Sequence, residues 1–125
     1  MNVTTILPNY NHARFLNERM LSVLNQTYER NEIIILDDCS SDNSQVIIEG
    51  FKEEGKIAHI GYNKSNSGSP FKQWIKGIEM AKGDLIWIAE TDDLADAKFL
   101  EKIIPYFDDP EVVVLCTDCK IINEE

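Results

Sequence analysis

Short apolar, β-branched runs alternate with stretches of helical spacing along this chain. Residues 3–7 read as a first strand, and residues 33–36 form a continuous apolar run, as expected of a strand covered on both faces. Residues 57–62 give a third, weaker strand, residues 85–89 a fourth behind the turn signal Gly83-Asp84, and residues 112–116 a fifth. Between them, Phe15, Leu16, Met20, Leu21 and Leu24 fall on one helical face. Ser41 and Asp42 are placed to cap a second helix carrying Val46, Ile47 and Phe51. Phe71, Trp74, Ile75 and Ile78 make a third helical stripe, which predicts a core-facing side. Leu100, Ile103, Ile104 and Phe107 make a fourth, which Pro105 should end or kink.

This alternation predicts an α/β fold: a Rossmann-like, three-layer α/β/α arrangement around a mainly parallel sheet. No repeat, low-complexity tract or linker interrupts residues 1–125, which read as a single domain, and residues 63–70 (NKSNSGSP) read as a loop. Residues 120–125 follow the fifth run with no closing helix, so the chain is expected to stop in mid-fold.

At 125 residues, 43% hydrophobic and 27% charged, the chain has the make-up of a soluble globular domain. A net charge of −10 argues against a nucleic-acid backbone or an anionic membrane as partner. No signal-peptide pattern or membrane-length apolar run is present, so the expected location is cytoplasmic, with any membrane association supplied by segments outside this sequence. Three cysteines, Cys39, Cys116 and Cys119, cannot all pair within one chain, which suits a reducing compartment. Cys116 and Cys119, despite their redox-motif spacing, read as structural.

The polar residues after the strands carry the chemistry. Ligands of open α/β sheets bind beyond the carboxyl ends of the strands, where strand order reverses. There the first strand runs into Pro8-Asn9-Tyr10-Asn11, the second into Asp37-Asp38-Cys39-Ser40, and the fourth into Glu90-Thr91-Asp92-Asp93. Clustered carboxylates repel and raise one another's pKa, a cost that a bound cation relieves. Oxygen-only ligands favour magnesium or manganese, whose shell phosphate oxygens commonly complete. No G-x-x-x-x-G-K-[ST] loop is present, and no G-x-G-x-x-G follows a strand. His12 and His59 stand alone and read as non-ligands, and Phe71 and Trp74 read as core.

In chain order these segments resemble the family-2 glycosyltransferases, which have the GT-A fold. Leu7-Pro8-Asn9-Tyr10-Asn11 is similar to the family's opening P-x-Y-N element. Residues 21–28 (LSVLNQTY) resemble its S-x-L-x-Q-[ST]-[YF] helix end, and residues 32–42 (EIIILDDCSSD) its E-[IV]-x-x-x-D-D-x-S-x-D element. Asn66-Ser67-Gly68 resembles its N-x-G loop, and residues 83–93 (GDLIWIAETDD) its G-[DE]-[YL]-I…D-x-D-D element.

The resemblance implies a donor-binding part of a transferase that moves a sugar, with inversion, from a nucleotide-sugar donor, UDP-linked by preference, to a saccharide, lipid or protein hydroxyl. Pro8 and Tyr10 would line the base, and Asp37 or Asp38 would hydrogen-bond the base or ribose. Asp92 would hold the divalent metal, Glu90 would stand at the first acidic place of the D-x-D element, and Asp93 would flank the sugar. Lys72 would either offer a positive charge to the nucleotide or stand as an exposed helix lysine. Glu90 departs from the usual Asp, and Lys72-Gln73-Trp74 stands where the family has A-R-N. The acceptor-binding part and its general base would lie after Glu125. Two other readings remain open from the residues alone: a phospho-acceptor receiver domain, and a non-catalytic nucleotide-binding module.

Overall fold

The computed structural model describes residues 1–123. The elements run β1 (Val3–Asn9), α1 (Ala13–Leu24), β2 (Asn31–Asp37), α2 (Ser44–Gly50), β3 (Ile57–Tyr62), α3 (Pro70–Met80), β4 (Leu85–Ile88) and α4 (Phe99–Ile103), with a 3-10 turn at Ile104–Asp108. The four strands form one parallel sheet in the order β3-β2-β1-β4. The chain therefore steps outward from β1 to β2 and β3, then returns to the far side of β1. The reversal leaves a crevice between the carboxyl ends of β1 and β4, where such folds bind ligands.

β1 and β2 are buried along nearly their whole length because helices cover both faces. On one face Leu7, Ile33 and Ile35 pack with Leu16, Met20 and Val23 of α1 and Ile48 of α2. On the other, Ile6, Ile34 and Leu36 meet Met80 of α3 and Ile88 of β4. A third cluster at the strands' amino ends joins Val3, Leu100 and Ile104 to Trp87 and Phe99. The fourth apolar stripe does form a helix, which ends at Ile103 and gives way to a 3-10 turn from Ile104 with Pro105 in its first turn, where the missing N–H is tolerated.

Two expectations are corrected. Phe71, Ile75 and Ile78 do not face the core: they are 60%, 58% and 50% exposed, and α3 buries Gln73 and Gly77 instead. The cause is close approach. A Cβ on Gly77 would lie 2.5 Å from Cγ2 of Ile6, so the helix seats on the sheet through its smallest side chain. Trp74, half-buried, turns its indole toward Glu90 rather than into the core.

The fifth run forms no strand. Val113 and Val114 are 82% and 76% exposed, and β4, at the sheet edge, pairs only with β1 among the described residues. A strand exists only through its ladder with a neighbour, and apolar composition alone does not supply one. Residues 120–123 carry no helix; Glu124 and Glu125 lie outside the described residues.

The loops beyond the strands are stitched to each other. Asp42 acts at two helix starts, accepting from the N–H of Ser44 through Oδ1 and from that of Ala13 through Oδ2, both at 2.9 Å. Asn11, at φ 52°, accepts from the N–H of Ser41 at 2.8 Å. Cys39 turns the chain at φ 63°, in the left-handed region that side chains other than Asn, Asp and Gly seldom enter. Ser69 caps α3, its Oγ accepting from the N–H of Phe71 at 3.2 Å, with Pro70 at the first helical position.

Candidate functional site

A cleft of about 480 Å³ opens at the carboxyl ends of the strands, within the size range of small-molecule sites. Pro8, Asn9 and Tyr10 from β1 and the residues after it form its base. Asp38, Asn66 and Gln73 form one wall, and Glu90, Thr91 and Asp92 the other. A second cleft of about 710 Å³ adjoins it, sharing His12, Thr91 and Asp92 and adding Asp93 and Leu94.

Two consecutive aspartates at the end of β2 take opposite roles because successive strand residues point to opposite faces. Asp37 is buried and spent on the fold: its Oδ1 accepts from Asn9 Nδ2 at 2.8 Å and Ser40 Oγ at 2.6 Å, its Oδ2 from the N–H of Ser40 at 2.9 Å. It does not line the cleft. Asp38 does. Its Oδ1 accepts from Asn63 Nδ2 and the N–H of Ser67, both at 2.8 Å, and its Oδ2 accepts from Ser67 Oγ at 2.6 Å. Burial acts to raise its pKa. The hydrogen bonds from Ser67 and Asn63, with the charge of Lys76, outweigh burial and hold the carboxyl below the usual range, hence ionised.

On the opposite wall Glu90 is half-buried and accepts from Trp74 Nε1 at 2.6 Å. Burial raises its pKa, and the neighbouring charges of Asp92 and Asp93 push it further up, against the Trp74 bond. Asp92 is exposed, and no hydrogen bond engages its carboxylate among the described residues. Behind this turn lies Arg19 of α1, only 2% exposed, its guanidinium 5.2 Å from the ring centre of Trp87. Burial lowers its pKa to about 10, while attraction to Asp93, Asp92 and Glu90 opposes the drop. It serves as an internal countercharge to the acidic turn.

The geometry sorts the residues singled out from sequence. Pro8, Tyr10, Asp38, Glu90 and Asp92 come together in the first cleft. Asp93 faces the second cleft, and Asp37 lies beneath the floor. Lys72 lines neither; it is exposed, its Nζ donating to the carbonyl of Ser67 at 3.0 Å, which braces the loop before α3. Sequence reasoning set His12 aside as a non-ligand and gave Gln73 and Arg19 no role. His12 lines both clefts and pairs with Thr91. Arg19 had a signal, being a charge three residues after Leu16 and four before Val23 on a buried helix face.

The sequence pattern of Glycosyl transferase family 2 matches residues 4–125, and the chain belongs to that family. It is 33% identical over 125 residues to an uncharacterized glycosyltransferase of Nostoc sp. (strain PCC 7120), covering 98% of this chain and 38% of that protein. It is 32% identical over 101 residues to glycosyltransferase GlyG of Streptococcus pneumoniae, covering 81% and 33%. Among solved structures, residues 1–349 of Staphylococcus aureus TarS in complex with UDP-GlcNAc match with a TM-score of 0.78 at 25% identity, covering 86% of this chain and 31% of that one. A mannosyltransferase from Pyrobaculum calidifontis shares the fold at a TM-score of 0.80 and 22% identity, covering 89% and 33%. The chain thus has the GT-A fold and spans about two fifths or less of the curated relatives it matches. Membership sets aside the phospho-acceptor reading. Among the described residues no helix is long and apolar enough to cross a membrane.

Proposed function

We propose that this chain is the donor-binding part of a glycosyltransferase that uses a UDP-sugar and a divalent cation and inverts the anomeric centre. The observation that carries the reading is the pair of walls across the strand-order reversal, with ionised Asp38 on one and Glu90 with Asp92 on the other. TarS, 25% identical over the matched part, is solved with UDP and with UDP-GlcNAc, which supports a uridine donor.

In this reading Pro8 and Tyr10 line the base, and Asp38 rather than Asp37 accepts from the base or ribose. Asp93, facing the neighbouring cleft, flanks the sugar. Magnesium or manganese suits the donor set. No three His, Cys, Asp or Glu side chains stand close enough to enclose an ion among the described residues. The unengaged Asp92 carboxylate and the second oxygen of Glu90 offer an open, all-oxygen edge, which fits an ion that keeps waters and phosphate oxygens in its shell. When bound, the cation neutralises charge growing on the departing diphosphate. Glu90, with its pKa raised by burial and like charges, marks where positive charge is wanted. The general base that deprotonates the acceptor lies beyond residue 125, and the acceptor is a saccharide, lipid or protein hydroxyl in surface-polysaccharide assembly at the cytoplasmic side of a membrane.

Calorimetry of UDP binding with and without manganese tests the assignment. Asp92→Ala is expected to remove the manganese dependence of UDP affinity while the melting temperature stays within a few degrees, since an exposed carboxylate contributes little to stability (about 0.5 kcal/mol or less). Manganese-dependent binding that survives in the variant would rule out the role given to Asp92.

A further inference from the structure

A single side-chain hydrogen bond joins α3 to the tip of β4 among the described residues: Trp74 Nε1 donates to Glu90 Oε1 at 2.6 Å. Gly77, on the next turn of the helix, makes the reach possible, since its missing side chain lets α3 sit directly on Ile6 of β1. The indole is itself held in place. Phe71 meets it edge-on, with ring centres 4.9 Å apart and planes at 77°, a favoured arrangement for aromatic pairs. An indole N–H can only donate, so the polarity of the bond is fixed. Trp74 lines neither cleft, whereas Glu90 lines the first beside Asp92. The bond therefore reaches Glu90 from behind the cleft wall and occupies one carboxylate oxygen. No protein hydrogen bond engages Oε2 among the described residues.

We propose that Trp74 is a positioning residue: its indole N–H fixes the Glu90 carboxylate so that Oε2 is the oxygen presented to the cation of this site. The inference rests on the cation-assisted reading above. Glutamate is among the side chains with most rotamer freedom, and a free one loses that freedom when it takes a ligand. Trp74 imposes the order beforehand, in the metal-free fold. It also engages Oε1, which leaves one oxygen for an ion that is held by one or two carboxylates and keeps waters and phosphate oxygens in its shell. Glu90 carries one methylene more than the aspartate usual at its place, and Trp74 stands where the family has asparagine. The two departures seen in the sequence are partners in space.

The test is calorimetric. UDP is titrated with and without manganese into wild type, Trp74→Phe, Glu90→Ala and the double variant, and the ratio of the two affinities gives the manganese-dependent gain. Phenylalanine keeps a ring against Phe71 and removes the donor. Trp74→Phe is expected to lower the gain about three- to tenfold, the range of one lost hydrogen bond. Glu90→Ala should lower it at least as far, and adding Trp74→Phe to Glu90→Ala should lower it no further, because the effects of residues that act through one another do not add. A full gain in Trp74→Phe or in Glu90→Ala overturns the assignment. So does a Trp74→Phe loss that persists undiminished in the Glu90→Ala background, which would make Trp74 a brace of the fold alone. Each of these results leaves the cation site standing. A wild type that gains nothing from manganese instead removes the cation reading, and this inference with it. If Trp74→Phe does not unfold cooperatively, wild type decides by NMR. The indole N–H resonance of Trp74, identified by its contact with Phe71, should move on titration with magnesium and UDP, and a stationary resonance overturns the proposal.

Discussion

His12 Nδ1 lies 2.7 Å from Thr91 Oγ1, joining the start of α1 to the acidic turn after β4 across the point where strand order reverses. Thr91 is 1% exposed, so its hydroxyl has no ready water partner if His12 is removed. The bond also sets the backbone that carries Asp92. His12→Ala is expected to cost about 1 kcal/mol of stability. It should weaken manganese-dependent UDP binding by about three- to tenfold, through a looser turn. Thermal melts and calorimetry on the same samples separate the two effects; affinity equal to wild type would mean that the clamp serves the fold alone.

Asp37 and Asp38 should separate in the same way. Asp37 holds Asn9 and Ser40 beneath the floor and meets no cleft surface. Its loss leaves the buried Asn9 amide and the N–H of Ser40 short of a partner. Asp37→Ala is expected to destabilise the chain by about 2–4 kcal/mol. Whatever fraction stays folded should retain near-normal UDP affinity. Urea unfolding reads the first, and titration at a temperature well below the transition reads the second.

Glu90 has the opposite sign from a stabilising carboxylate. Its folded-state pKa is raised by burial first and then by Asp92 and Asp93, so the ionised form is disfavoured in the fold. Its favourable contribution is present below the unfolded pKa and is lost as pH rises through the folded one. Glu90→Gln removes the charge and keeps an oxygen for Trp74, so the metal-free chain should melt higher at neutral pH. Solvent screening of a half-buried group keeps the gain small, about 0.5 kcal/mol or 2 °C. The gain should vanish below about pH 4, where the wild-type carboxyl is also neutral. A variant that melts no higher at pH 7 would show that the like-charge strain is absent.

Much of the architecture is legible in the pattern of residues. β1 and β2 announce themselves as unbroken apolar runs because both of their faces are covered. The tips of β1, β2 and β4 were readable as the lining of a cleft because that is where a parallel sheet exposes loops. The α3 stripe misled because apolar spacing says which residues share a face, not which face meets the sheet. Gly77, with nothing to contribute to an apolar count, decided that by allowing contact with Ile6. The run at 112–116 misled for a related reason: strand propensity is local, but the partner a strand needs is not.

The amino-acid order by itself determined the α/β alternation, the parallel sheet, the family and the gathering of acidic residues at one sheet edge, since each follows from local pattern and chain order. Which aspartate of the adjacent pair enters the cleft, which way α3 turns, and how His12, Arg19 and Gln73 meet residues from distant segments were decided only in three dimensions. Those outcomes depend on pleat direction, close packing and the matching of donors to acceptors across the fold, and none of these is a property of neighbours along the chain.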